Sequence, residues 1–79
     1  MKKKLISILG STGSIGTTAL NIVDSKKIFF KINLLSANKN YNLICKQIKK
    51  YKPAIFIITN HLIYKKIKKK FNNKNMKLL

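Results

Sequence analysis

The sequence predicts an α/β fold in which a parallel sheet is built from strands joined by helical crossovers. Three observations carry that prediction. Short, β-prone apolar runs alternate with longer segments of helical periodicity, in the order β-α-β-α-β-α followed by the start of another strand. The first apolar run leads directly into a glycine-rich turn that opens onto an amphipathic segment. Finally, 79 residues at 46% hydrophobic content suit one small unit, and they exclude a disordered basic tail.

The elements can be justified in order. Lys4 to Leu9 is an almost unbroken apolar run, the pattern of a strand covered on both faces. Gly10-Ser11-Thr12-Gly13 is a turn. From Ser14 the period becomes helical, with Ile15, Ala19, Ile22 and Val23 on one face, and Asp24-Ser25-Lys26-Lys27 closes that helix. Phe29 to Leu35 reads as the second strand and Ser36 to Asn40 as a polar loop. A second helix spans Tyr41 to Tyr51, with Tyr41, Ile44, Ile48 and Tyr51 on its apolar stripe. Pro53 marks its end, because proline disfavours helix in the residue before it. Ala54 to Thr59 is a third strand. Asn60 caps a third helix that turns Ile63, Ile67 and Phe71 inward and its lysines outward. Asn72 to Asn75 is a turn, and Met76 to Leu79 begins a fourth strand. Residues 1–79 are therefore expected to form the N-terminal part of an incomplete domain.

Charge is the most conspicuous property of the composition. Eighteen basic residues, all lysine, stand against a single acid, Asp24, for a net charge of +17. Recognition of phosphates and bases leans on the bidentate fork of arginine, which is missing here. The joint abundance of Lys, Ile and Asn is instead the mark of an AT-rich coding sequence, so no specific nucleic-acid partner is expected. A lone Cys45 excludes a disulfide framework and a cysteine zinc site. No apolar run approaches the ~18 residues of a membrane span. Lys2 to Lys4 followed by Leu5 to Leu9 is too short for a secretory signal, and the expected location is cytoplasmic. His61 has no acidic or cysteine neighbour in sequence and reads as a surface residue at a helix start, as Asp24 does at a helix end. No acid–base pair, metal cluster or activated nucleophile can be assembled from these residues.

The chemistry lies in Gly10-Ser11-Thr12-Gly13-Ser14-Ile15-Gly16, placed between the first strand and the first helix. Dinucleotide-binding, Rossmann-like folds put their phosphate turn there. Residues without Cβ permit the tight turn, close approach of the pyrophosphate and close helix packing. The N–H groups and dipole of the helix N-terminus attract the anion. A glycine-rich loop with no ligand is the competing reading. At the end of the second strand, Ser36-Ala37-Asn38-Lys39-Asn40 offers a lysine where an NAD site usually carries an acid, which favours NADP over NAD.

These residues resemble a known family. The run from Lys4 to Gly16, with its Gly-Ser-Thr-Gly-Ser-Ile-Gly heptapeptide, is similar to the N-terminus of the 1-deoxy-D-xylulose 5-phosphate reductoisomerases. The similarity continues through Leu34 to Asn40 and, more loosely, through Tyr51-Lys52-Pro53 and the third strand. The resemblance implies that Thr12, Gly13, Ser14 and Ile15 contact the phosphates and nicotinamide side of NADPH. It implies that Asn38, Lys39 and Asn40 surround the ribose 2′-phosphate. Asn38 stands where the family usually has glycine; asparagine tolerates left-handed backbone angles better than most residues. The family isomerises a pentulose phosphate and reduces it with NADPH to 2-C-methyl-D-erythritol 4-phosphate, in isoprenoid precursor synthesis. It uses a divalent metal, Mg or Mn, held by carboxylates, and the full-length enzyme is expected to be a homodimer. The metal and substrate residues have no counterparts in these 79 positions, so the chain alone is expected to be inactive. The alternatives are a stand-alone nucleotide- or polyanion-binding module and a part of another G-x-x-G-x-x-G dehydrogenase or epimerase. A competition titration separates the first of these: the reductoisomerase reading predicts that NADPH outcompetes nucleic acid at ~150 mM salt, where nonspecific phosphate contacts weaken.

Overall fold

A computed structural model describes residues 2–71 and 75–79 of the chain. The described elements are β1 (Lys4–Ile8), α1 (Ser14–Ser25), β2 (Phe30–Ala37), α2 (Tyr41–Tyr51), β3 (Ile55–Ile58), α3 (His61–Lys70) and β4 (Lys77–Leu78). The strands form one sheet in the order β1-β2-β3-β4, parallel throughout. Right-handed crossovers that always add the next strand to the same side carry all three helices to one face. The burial pattern agrees. Ile8, Leu35 and Phe56 lie side by side across β1, β2 and β3, with Leu78 of β4 beside Phe56. Together with Leu20, Ile32, Ala37, Ile44, Ile48, Ile58 and Ile67 they form one core between sheet and helices. The opposite face carries Leu5 and Lys31 in the open, with Leu34, Ile55 and Ile57 half-buried. The chain measures only 15 Å along its thinnest axis, the depth of two layers.

Helix ends follow local chemistry. Asn40 and Asn60 precede α2 and α3, and each side-chain oxygen accepts from the N–H three residues on, Leu43 at 3.2 Å and Ile63 at 3.0 Å. Lys52 closes α2 in the left-handed conformation at φ 46°, and its N–H donates to Ile48 O. Pro53 is buried just beyond it. The free thiol of Cys45 is buried inside α2.

Three expectations need correction. The second strand runs on through Ser36 and Ala37, read above as loop, because these residues pair with Ile57 and Ile58 of β3. The strands β1 and β3 are each shorter than expected, ending at Ile8 and Ile58. The inward face of α1 is not centred on Ile15 and Ile22, which are 87% and 57% exposed, but on Gly16 and Leu20, flanked by Ala19 and Val23. A contact explains the rotation. A Cβ on Gly16 would lie 2.1 Å from Gly10 O and 2.8 Å from Ser11 Cα, so the bare side of the helix is turned against the loop. The proposed turn at 72–75 falls mostly on residues outside those described.

The β1–β2 register contains one irregularity. Ile6 pairs with Ile32 but Ser7 pairs with Leu34, so Asn33 has no partner on β1. In a regular strand Ile32 and Leu35 would point to opposite faces; one inserted residue brings both to the helix side. Two predictions follow from the packing. Phe56→Ala should cost about 3–5 kcal/mol, whereas Leu5→Ala, on the open face, should change stability by less than about 0.5 kcal/mol; urea denaturation of the two variants measures both. Gly16→Ala, which presses a methyl group onto backbone, should cost about 1–3 kcal/mol. Gly13→Ala, whose new Cβ meets its nearest neighbour at 3.5 Å, should cost no more than the ~1 kcal/mol of a poorer helix cap; thermal melting distinguishes the pair.

Candidate cofactor-binding site

The loops that follow β1, β2 and β3 all emerge at the carboxyl edge of the parallel sheet, the edge where open α/β folds bind ligands. The first loop, residues 9–13, is shaped by its glycines. Gly10 adopts φ +69°, a conformation open to few side chains. Gly10 O accepts from Gly13 N–H at 3.1 Å and closes the turn. Gly13 is the N-cap of α1, with extended backbone at φ −77° and ψ 172°, and its own O accepts from Thr17 N–H. Unlike α2 and α3, α1 has no side-chain cap. The first-turn N–H groups of Ser14 and Ile15 have no intrahelical acceptor, as in any helix, and here no side chain takes that role.

Three tethers fix the loop from below. Ser11 N–H donates to Ser36 O at 2.7 Å, and Gly10 N–H donates to Ser36 Oγ at 3.1 Å. The third comes from α2: Ser11 Oγ donates to Gln47 Oε1 at 2.7 Å, while Gln47 Nε2 donates to Ser11 O at 2.8 Å. Ser11 is fully buried and Gln47 is 4% exposed. Every buried side-chain polar atom among the described residues has a partner.

The structure places the residues singled out by sequence in two groups along this edge. Thr12, Gly13, Ser14 and Ile15 form the loop and first helical turn, with Thr12 half-buried and the other three exposed. Asn38, Lys39 and Asn40 form the exposed link from β2 to α2. Asn38 does not use a left-handed backbone; the one described non-glycine residue that does is Lys52. Instead Asn38 Oδ1 accepts from Thr59 Oγ1 at 3.0 Å, tying the second loop to the third. Asn40 Oδ1 is committed to capping α2, which leaves its NH₂ group free for other uses. Lys39 is exposed and forms no ion pair among the described residues, where the single pair is Lys50 Nζ to Asp24 Oδ2 at 3.6 Å. Asp24, the sole acidic side chain of the chain, is paired with Lys50 rather than with Lys39.

Sequence reasoning missed Ser36 and Gln47. Ser36 left no trace, because its role depends on where β1 ends beside it. Gln47 left a faint one: it is a polar side chain between Ile44 and Ile48, on the apolar side of an amphipathic helix. His61 is exposed at the start of α3, as expected. Among the described residues no group of three His, Cys, Asp or Glu side chains comes together, and no helix is long and apolar enough to cross a membrane.

Known proteins match this arrangement. The protein from Porphyromonas gingivalis named 1-deoxy-D-xylulose 5-phosphate reductoisomerase is 47% identical over 62 residues, covering 78% of this chain and 16% of its own length. The protein of that name from Bacteroides fragilis is 36% identical over 78 residues, covering 99% of this chain and 20% of its own. Among solved structures, the Zymomonas mobilis reductoisomerase in complex with NADPH superposes with a TM-score of 0.86 at 21% identity, over 98% of this chain and 20% of that one. A reductoisomerase in complex with magnesium gives a TM-score of 0.83 at 19% identity. This chain thus spans at most about a fifth of the length of the curated relatives it matches. The family model for 1-deoxy-D-xylulose 5-phosphate reductoisomerase matches residues 6–79, and the chain belongs to that family.

Proposed function

We propose that this chain is the NADPH-binding part of a reductoisomerase that converts 1-deoxy-D-xylulose 5-phosphate to 2-C-methyl-D-erythritol 4-phosphate. The observation that carries the reading is the start of α1, which no side chain caps, at a turn where a Cβ on Gly13 would have only Gly10 O within 4 Å. A side chain at Gly13 would stand where a pyrophosphate has to approach, and the amides of Thr12, Ser14 and Ile15 are available to bind it. Lys39, with the amide groups of Asn38 and Asn40 nearby in the β2–α2 loop, supplies the positive charge for a ribose 2′-phosphate. Exposed Ile15 offers an apolar rim to the nicotinamide side. Bound there, NADPH would supply the hydride for the reduction.

On this reading residues 1–79 hold the cofactor, and the residues that bind the phosphosugar and the metal lie outside them. The described residues do not fit a divalent cation, since carboxylates, the donors Mg or Mn favours, are represented by Asp24 alone. The full enzyme is a cytoplasmic homodimer in this proposal, with no specific nucleic-acid partner.

Fluorescence titration of the 79-residue chain with NADPH and NADH tests the reading. NADPH should bind more tightly, and Lys39→Ala should narrow the difference by roughly tenfold, the worth of one charge-assisted hydrogen bond at an exposed position. Equal affinity for the two cofactors would overturn the 2′-phosphate assignment. The chain alone should not turn over 1-deoxy-D-xylulose 5-phosphate in the presence of NADPH, and turnover would show that the catalytic residues had been misplaced.

A further inference from the structure

Gln47 sits where an amphipathic helix ordinarily puts an apolar side chain, with Ile44, Cys45 and Ile48 buried around it. Both ends of its carboxamide grip a single residue 36 positions away, Ser11, which is itself fully buried. Packing alone does not call for this, because a buried polar pair of this kind can be replaced by apolar groups at little cost. The geometry has a directional consequence. A trans peptide is planar, so its C=O and the N–H of the following residue point in opposite directions. Gln47 Nε2 holds Ser11 O toward α2 and the interior. The N–H of Thr12, on the far side of the same peptide, is thereby turned outward, toward the space over the loop. Ser11 N–H is drawn inward at the same time by Ser36 O. Ser11 is thus held on both sides, its N–H by a strand and its C=O by a helix.

We infer that Gln47 is a positioning residue for the dinucleotide: without touching the ligand, it aims the Thr12 amide at the pyrophosphate. The inference rests on the NADPH-binding reading above and deepens it. It distinguishes two parts of the Gln47–Ser11 pair. The bond from Nε2 to Ser11 O sets the peptide, whereas the bond from Ser11 Oγ to Oε1 only satisfies the carboxamide oxygen.

The test compares Gln47→Met, which keeps the volume and loses both bonds, with Ser11→Ala, which keeps the bond to Ser11 O. NADPH affinity should fall about tenfold or more in Gln47→Met, the loss of one well-aimed amide-to-phosphate bond, and less than about threefold in Ser11→Ala. The ratio of NADPH to NADH affinity should be unchanged in both, since the pyrophosphate is common to the two cofactors; a merely structural role would give no such separation between variants. Circular dichroism establishes that each variant is folded. A third measurement needs no variant: on saturating the unaltered chain with NADPH, the Thr12 amide should show one of the larger ¹H–¹⁵N shifts. A Thr12 amide that does not respond while Ser14 and Ile15 do would overturn the inference even if Gln47→Met fails to fold. Folded Gln47→Met binding NADPH as well as the unaltered chain would overturn it too, leaving the cofactor reading intact. An unaltered chain that binds no NADPH would instead refute the cofactor reading, and the positioning role with it.

Discussion

The contact between Gly16 and the loop before it governs the rest of this structure. With 2.1 Å between Gly10 O and the place a Cβ would occupy, the first turn of α1 can rest directly on backbone. That approach sets the rotation of α1, brings Leu20, Ala19 and Val23 onto the sheet, and leaves Ile15 and Ile22 facing out. It also fixes the height of the helix over β1, so the amides of its first turn meet the loop at the sheet edge. A methyl group there would push α1 away from the sheet, and the core and the amides proposed to bind the pyrophosphate would move together. Fold and site are coupled through one missing side chain.

Around that contact the molecule satisfies its polar groups economically. The loop after β1 is bonded to β2 through Ser36 and to α2 through Gln47. The loop after β2 is bonded to the one after β3 through Asn38 and Thr59. Asparagines cap α2 and α3, while α1 is left without a cap at the one helix start that opens onto the glycine loop. The difference has a physical meaning: capping oxygens satisfy N–H groups that have nothing else to meet, and a side-chain cap on α1 would compete with an anion for the same donors.

The charge acts on a different scale. A net +17 with one ion pair among the described residues, 3.6 Å long and between exposed side chains, means that electrostatics oppose compaction. Cohesion falls to the single apolar layer between sheet and helices, centred on Leu35 and Phe56. Parallel sheets are normally covered on both faces; here the second face, with Leu5, Leu34, Ile55 and Ile57, is not covered by any helix among the described residues. The same lysines that strain the fold favour polyphosphate ligands in general, so in the proposed reading selectivity for one cofactor comes from placed donors such as Lys39 rather than from the overall field.

Local information settled the type and order of every element, the capping by Asn60, the end of α2 before Pro53, and the position of the glycine loop. Each of these depends on residues close together in the chain: periodicity, a cap three residues from its donor, a proline beside a helix end. The rotation of α1, the extension of β2 through Ser36 and Ala37, and the choice between Leu34 and Leu35 as the core residue were decided only by the assembled structure. A run such as Ile32-Asn33-Leu34-Leu35 does not say which leucine faces inward until β1 pairs with it and leaves Asn33 unmatched. Ser36 and Gln47 belong to the same class, because their partner Ser11 is 25 and 36 residues away in sequence and adjacent only once the sheet and α2 have closed around it. Short-range stereochemistry is written in neighbouring residues, whereas long-range contact depends on where the backbone goes.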